Sequence, residues 1–367
     1  MSGPIRYFTP AAMRLEELDF DIPQGLIAQE PADPRDSCRL MYLPSRGERE
    51  HLVFSDLPGL LRAGDTLVLN DSRVLAARVE ARKPTGGRVE VLFLRPLEEA
   101  GRSWEILARP SHRLRAGEDL LLADDSRLSL RAALGEGRWV VEGPPGRSVV
   151  EIMADQGKLP LPPYIHRYPD DPAVYQTVFA SKLGSAAAPT AGLHFTSELL
   201  EVLGQAGVRT AYVTLHVGLD TFQPIREEIV EDHRIHRETY YVGAEALGAI
   251  RDTLGSRGRL VAVGTTATRV LETLARNGAL GSSPAGQPIW GETDIFITPG
   301  HAFRAVDALL TNLHLPHSTV LALTMAFAGV ERLREAYADA VAMRYRFFSF
   351  GDAMLIEKPR EGADADA

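Results

Sequence analysis

What the chain lacks narrows the field first. Its 367 residues include one cysteine, Cys38, so no intrachain disulfide can form, and a lone thiol suits a reducing cytosol. Cys38 lies between Ser37 and Arg39 with no activating motif beside it, and reads as a small, semi-buried residue rather than a nucleophile. The opening MSGPIRYFTPAAMR has no apolar stretch of the kind a secretory signal needs. The longest apolar run near the C-terminus, residues 320–330, is interrupted by Thr324 and is too short to span a bilayer. A cytoplasmic protein without membrane contact is the expectation. Basic charge is scarce as well: 40 Lys and Arg stand against 49 Asp and Glu, for a net charge of −9. That excludes non-specific coating of nucleic acid but leaves room for a local basic groove. There is no Walker loop, no nucleophile elbow, no GxGxxG after a strand and no readable RNA-binding module. His233 and His236 are three apart, but no Glu follows His233 and no cysteines stand nearby, so no metal centre is expected.

What is present is an ordinary globular composition, 45% hydrophobic and 24% charged, over a length that suits two domains or one with a large insertion. Residues 65–143 hold short strand-like runs at 66–70, 74–81, 88–94, 104–108, 120–122, 128–130 and 139–141, with turn signals between them. Close spacing of short strands predicts a small barrel or sandwich, closed by the hinge-like GPPG at 143–146. After Arg147 helices and strands alternate: a helix capped by Thr196, a strand at 210–217, a helix at 245–254, a strand at 260–263, a helix at 266–276, a strand at 294–298, a helix capped by Ser318, a helix at 331–343 and a closing strand at 347–356. Such alternation implies an α/β fold, a mostly parallel sheet with flanking helices. The first stretch joins this domain, so residues 1–64 and 147–367 form it and 65–146 are an inserted β-barrel domain. The two ends, residues 1–14 and 357–367, are expected to fray.

Open α/β sheets bind ligands at the carboxyl ends of their strands. Four polar loops fall there: residues 188–195, 216–218, 264–269 and 312–319. In the third, Gly264 permits close approach, Thr265 and Thr266 open a helix whose amides are free, and Arg269 adds a charged fork, which together predict an anion site. His194, His216, His314 and His317 are placed for proton transfer or hydrogen bonding, with His194 or His314 as acid or base and His216 orienting it.

Long segments of the chain closely resemble the S-adenosylmethionine:tRNA ribosyltransferase-isomerases of queuosine biosynthesis. They are YQTVFASKLGSAAAPTAGLHF at 175–195, VTLHVGLDTFQPI at 213–225, NLHLPHST at 312–319, DFDIPQGLIAQEPADPRDSCRLM at 19–41, LVLNDSRVLAARV at 67–79 and YRFFSFGDAMLI at 345–356. The resemblance implies an α/β domain carrying an inserted barrel. It implies an enzyme that moves the ribosyl part of S-adenosylmethionine onto the aminomethyl group of a deazaguanine at the tRNA wobble position. Adenine and methionine leave, and the ring rearranges to give epoxyqueuosine. S-adenosylmethionine is then a consumed substrate, no cofactor is required, and a monomer working on tRNA is expected. The substrate-binding residues it implies are Thr190, Gly192, Phe195, Thr265, Thr266, Arg269, Asp294, Asn312, His317, Ser318 and Thr319. The chain departs from the family pattern at Ala267 and Thr268 (usually Ser-Val), at Glu292 (usually aromatic) and at Leu313 (often Phe). The rivals are a non-catalytic tRNA-binding protein and a methyltransferase, whose Gly-rich strand-to-helix loop is missing here. For tRNA, the barrel segment is rich in Arg and Lys, and Arg82, Lys83 and Arg88 are the expected contacts, with Phe195, Tyr164 or Phe222 stacking on a base.

Overall fold

A computed structural model of the chain describes residues 12–98, 101–218, 224–282 and 286–359. Phe222 and most of the two ends expected to fray lie outside these. A nine-stranded sheet forms the body, in the order Ile289–Thr293, Glu238–Val242, Arg209–Leu215, Thr66–Asn70, Leu260–Val263, Ala308–Asn312, Ala353–Glu357, Arg39–Leu43 and Glu50–Val53. The sheet is mixed rather than mostly parallel. Arg209–Leu215, Thr66–Asn70, Leu260–Val263 and Ala308–Asn312 run parallel to one another, and the outer pairings are antiparallel except that of Arg39–Leu43 with Ala353–Glu357.

The parallel centre follows from composition. TLVLN, LVAV and ALLTN are buried at every position, as strands covered on both faces must be. Alternate side chains feed two cores. Val68, Ala262 and Leu309 pack beneath helices Ala244–Leu254, Gly264–Arg276, Thr319–Ala328 and Val330–Ala342. Leu67, Leu69, Val261 and Leu310 pack on the other face with Phe54, Leu57 and helix Ser197–Gln205. Truncating one of these, such as Leu309→Ala, costs about 2–5 kcal/mol. The expected caps are in place: Thr196 Oγ1 accepts the Leu199 amide at 3.1 Å and Ser318 Oγ accepts that of Leu321 at 3.2 Å.

The second unit is a closed barrel of Arg138–Glu142, Ser103–Arg109, Arg88–Pro96, Arg78–Arg82, Asp119–Leu121 and Arg127–Gly135. Strand Arg78–Arg82 alternates: in RVEAR, Val79 and Ala81 point in while Arg78, Glu80 and Arg82 point out. Helix Val149–Gln156, opened by a Ser148–Glu151 capping box, adds Val149, Ile152 and Met153 to the barrel core. Thr66–Asn70, expected among the barrel strands, is instead a central strand of the large sheet. The run 74–81 divides: Ser72–Val74 pairs with Lys182–Ser185, and only Arg78–Arg82 enters the barrel. The strand expected at 294–298 is absent, and Ile289–Thr293 takes its place. Ile295 and Ile297 do bury with period two, but side chains satisfy the backbone there: Thr293 Oγ1 accepts the Ile295 amide and Arg269 Nε donates to the Ile295 carbonyl. The closing strand starts at Ala353, because Phe348 at φ +73° and the Gly351-to-Phe348 bond turn the chain just before it. Among the described residues no helix is long and apolar enough to cross a membrane.

Candidate active site

A cleft of about 1800 Å³ opens between the carboxyl ends of the central strands and one outer wall of the barrel. On the sheet side it is lined by His216, Thr265, Thr266, Arg269 and Thr319. His216 follows strand Arg209–Leu215, and its ring lies flat over Gly184, where a Cβ would come within 2.8 Å of the ring. Gly184, at φ +140°, is thus the residue that makes room for the imidazole. Burial pulls the His216 pKa below its ordinary value, partly offset by the Asp71 carboxylate. The ring is therefore neutral at pH 7, and its Nδ1 is buried with no hydrogen-bond partner.

Helix Gly264–Arg276 begins directly after strand Leu260–Val263, without a side-chain cap, so its first amides remain available. Gly264 takes φ +86° and passes Ala191 closely enough that a Cβ there would sit 3.4 Å from the alanine methyl. The Thr266 hydroxyl is buried and unpartnered. Arg269 is 7% exposed; its Nη1 is paired with Glu238, Nε donates to the Ile295 carbonyl at 3.2 Å, and Nη2 has no partner. The Glu238 carboxylate also accepts the Gly218 amide at 3.0 Å. Balanced in this way, Arg269 keeps its Nη2 amino group unpartnered while its charge is held in place. Three residues of one wall thus each hold a buried, unpartnered polar atom just behind the cleft surface: His216 Nδ1, Thr266 Oγ1 and Arg269 Nη2.

The remaining expected residues support this wall from behind. His194 is buried and does not line the cleft. Asn312 Nδ2 donates to the Phe348 carbonyl and to His194 Nε2, both at 3.1 Å, which leaves the proton on Nδ1, 3.2 Å from Cys38 Sγ. Burial holds the His194 pKa at about 4 and pushes the Cys38 thiol well up, so this Cys–His–Asn row is uncharged and inert. His314 also lies outside the cleft, half-buried, with Nε2 2.7 Å from the Thr311 hydroxyl and its pKa pulled to about 4 by desolvation. Neither is placed for acid or base work in the cleft. Phe195 is fully buried edge-on against Phe54 and cannot stack on a base; Tyr164 is half-buried outside the cleft, its hydroxyl 2.6 Å from Ser349 and its ring against Phe348. Gly192 packs under the Phe179 ring, and Thr190 opens the short helix Thr190–His194. His317 stands 3.5 Å from Asp19, Asp294 pairs with Arg237, and Ser318 is occupied as a cap. Among the described residues no group of three His, Cys, Asp or Glu side chains could hold a metal ion.

The barrel wall carries Arg78, Arg95, Arg109 and Arg138 interleaved with Glu80, Glu90, Glu105 and Glu136. Glu105, 4% exposed, takes Arg95 at 2.9 Å and Arg138 at 3.3 Å. Arg82 and Arg88 face each other across the hairpin, on the same outer face and one rung beyond the Glu80–Glu90 pair. They extend the wall without lining the cleft. Lys83 is turned to the Arg113 carbonyl and to Glu118. Glu238, the partner of Arg269, carries no motif in the sequence and is found only through its contact.

The family model described as "Queuosine biosynthesis protein" matches residues 15–356. An S-adenosylmethionine:tRNA ribosyltransferase-isomerase from Rubrobacter xylanophilus is 53% identical over 346 residues, covering 94% of this chain and 98% of its own. One from an Anaeromyxobacter species is 49% identical over 350 residues, covering 94% and 99%. The crystal structure of the S-adenosylmethionine tRNA ribosyltransferase from Thermotoga maritima aligns over 93% of this chain and 99% of its own, with 38% identity and a TM-score of 0.53. With a cleft at the strand ends and a match over nearly its whole length, the chain belongs to the queuosine biosynthesis protein family.

Proposed function

We propose that this protein is an S-adenosylmethionine:tRNA ribosyltransferase-isomerase, acting as a monomer on the wobble deazaguanine of tRNA and consuming S-adenosylmethionine without a cofactor. The observation that carries the reading is the joining, on one cleft wall, of a neutral histidine, an uncapped helix N-terminus and a charge-balanced arginine with a spare N–H. The donor presents complementary chemistry. Its methionine end carries a carboxylate, which suits the amides and hydroxyls at Thr265 and Thr266 and the free Nη2 of Arg269. Its sulfonium acidifies the hydrogens on C5′, so a neutral base is needed there. His216 is the one among the expected catalytic histidines that lines the cleft, and it is uncharged at pH 7. His194 and Asn312 position the loop behind the site. The opposite wall, with its arginines, takes the RNA.

Incubation with S-adenosylmethionine and tRNA bearing the precursor should release free adenine and methionine. Release of S-adenosylhomocysteine would instead make the protein a methyltransferase. Binding of the tRNA with no product of either kind would make it a non-catalytic binder.

A further inference from the structure

The outer edge of the large sheet carries an aromatic pair that the cleft chemistry leaves unused. Trp290 is 75% exposed, whereas Trp104 and Trp139 are buried in the barrel. It lies directly across from Tyr241, with ring centroids 4.2 Å apart and planes at 42°. Side chains alternate along strands, so Trp290 and Glu292 share one face with Tyr241 and Thr239 opposite them, and Arg237 pairs with Asp294 at 3.4 Å just past the strand ends. Arg237, Thr239 and Glu292 line the cleft. The aromatic pair is therefore the next rung of the cleft's own wall. The family resemblance leads one to expect an aromatic at position 292, where this chain has Glu292; Trp290 puts an indole on that same face two residues earlier.

We propose that Trp290, braced by Tyr241, stacks an unpaired base of the RNA loop whose neighbouring nucleotide enters the cleft. The proposal rests on the tRNA reading above. Two features favour RNA over another occupant. The platform is continuous with the cleft, and the barrel wall facing that cleft carries Arg109, which makes no ion pair among the described residues and is open to a phosphate. An indole face left open also suits any base, because every base has a π-face. The same sheet edge could otherwise pair with a second copy of the chain, and the test includes that outcome.

The test uses Trp290→Ala, Trp290→Phe and Tyr241→Ala in the full chain. Each is titrated with a precursor-bearing stem-loop of anticodon-arm size and with a blunt duplex of equal length. Tryptophan fluorescence and adenine release are followed, and circular dichroism confirms the fold. The parent should be quenched by the stem-loop and not by the duplex. Trp290→Phe should lose that quenching while keeping stem-loop affinity within about 3-fold. Trp290→Ala should raise the stem-loop KM roughly 10-fold or more, with kcat at saturating RNA and the donor KM unchanged. An unchanged stem-loop KM in Trp290→Ala overturns the proposal. So does a dimeric parent that becomes monomeric in Trp290→Ala, as read by light scattering, with no change in RNA affinity. If the parent releases no adenine, the functional reading fails on its own, and quenching by the stem-loop still decides the stacking.

Discussion

The two walls of the cleft are built on opposite electrostatic plans. On the sheet wall, polar groups are buried and fixed, and charge is cancelled locally: Arg269 by Glu238, His216 by remaining neutral. On the barrel wall, arginines and glutamates are half-buried or exposed, with Glu105 the buried exception. Fields between exposed groups fade within about 8–10 Å in physiological salt, whereas buried contacts are screened far less. The sheet wall is therefore suited to a small ligand recognised by fixed geometry. The barrel wall suits a polyanion held by many weak contacts. Changes on the first wall should be large and insensitive to salt, and changes on the second small and sensitive to salt.

The largest effect is expected at Arg269. Replacing it with Met leaves the Glu238 carboxylate buried without its cation, which costs on the order of 3–5 kcal/mol of stability. Urea denaturation should show a lower midpoint. Adding Glu238→Gln should restore most of the stability, while calorimetric titration with S-adenosylmethionine should still show weakened binding. A double variant that regained donor affinity would make Arg269 a scaffold and move the anion site elsewhere.

Next in size is His216. His216→Gln should lower turnover about 10²–10⁴-fold, the worth of a general base, without lowering the melting temperature. The pH profile sharpens the point. A base must be deprotonated, so activity is lost as pH falls through its pKa; with that pKa depressed by burial, kcat/KM should hold through pH 6.5 and fall only below it. The glutamine variant should lose that acid limb. Near-normal turnover in His216→Gln would remove the sheet wall's only proposed base.

These residues also mark how far the sequence could be read. The strand-end rule led to loops that border the cleft: His216, Thr265, Thr266, Arg269 and Thr319 all line it. The same rule placed His194 and Asn312, whose side chains turn into the core instead, and His314, which is half-buried away from the cleft, because a loop's position says nothing about which way its side chains point. Glu238 and Trp290 escaped notice for a related reason. Ile289–Thr293 is the edge strand and Glu238–Val242 the next one in, and their mixed burial gives them no continuous apolar run. Their antiparallel pairing is part of what makes the sheet mixed, with Ala308–Asn312 against Ala353–Glu357 and Arg39–Leu43 against Glu50–Val53 the rest. Thr66–Asn70 was grouped with the barrel because it precedes the barrel strands along the chain. Its burial at every position was the signal that it is central to a sheet covered on both faces.

The two histidines behind the sheet wall, His194 and His314, give an effect of middle size, on stability rather than turnover. His194 and His314 have folded pKa values near 4, below the ordinary value of 6.5. Between those values the unfolded chain binds protons that the folded chain refuses. Their contribution is thus fully present above about pH 6.5 and is lost as pH falls toward 4, by on the order of a few kcal/mol in all. Urea midpoints at pH 7 and pH 5 should show the loss, and His194→Gln should reduce the difference between them. An unchanged difference would mean that His194 is protonated when folded, which the Asn312 and Cys38 contacts do not accommodate.

The smallest effects belong to the barrel wall. Arg109 lines the cleft and makes no ion pair among the described residues, so its cation is the one most available to a phosphate. Arg109→Gln should raise the tRNA KM by the equivalent of about 1 kcal/mol or less, as a single exposed ionic contact would. The salt dependence is more telling than the size. Each phosphate contact to single-stranded RNA adds about 0.7 to the slope of log affinity against log salt, so the variant should be shallower by roughly that amount. Arg82→Gln with Arg88→Gln, one rung further out on the same face, should change the slope only if the RNA reaches past the Glu80–Glu90 pair. In each variant the donor KM should stay at the parent value at every salt concentration. A donor KM that shifted with the tRNA KM would show that the two walls act on one ligand, and the division of labour between them would be lost.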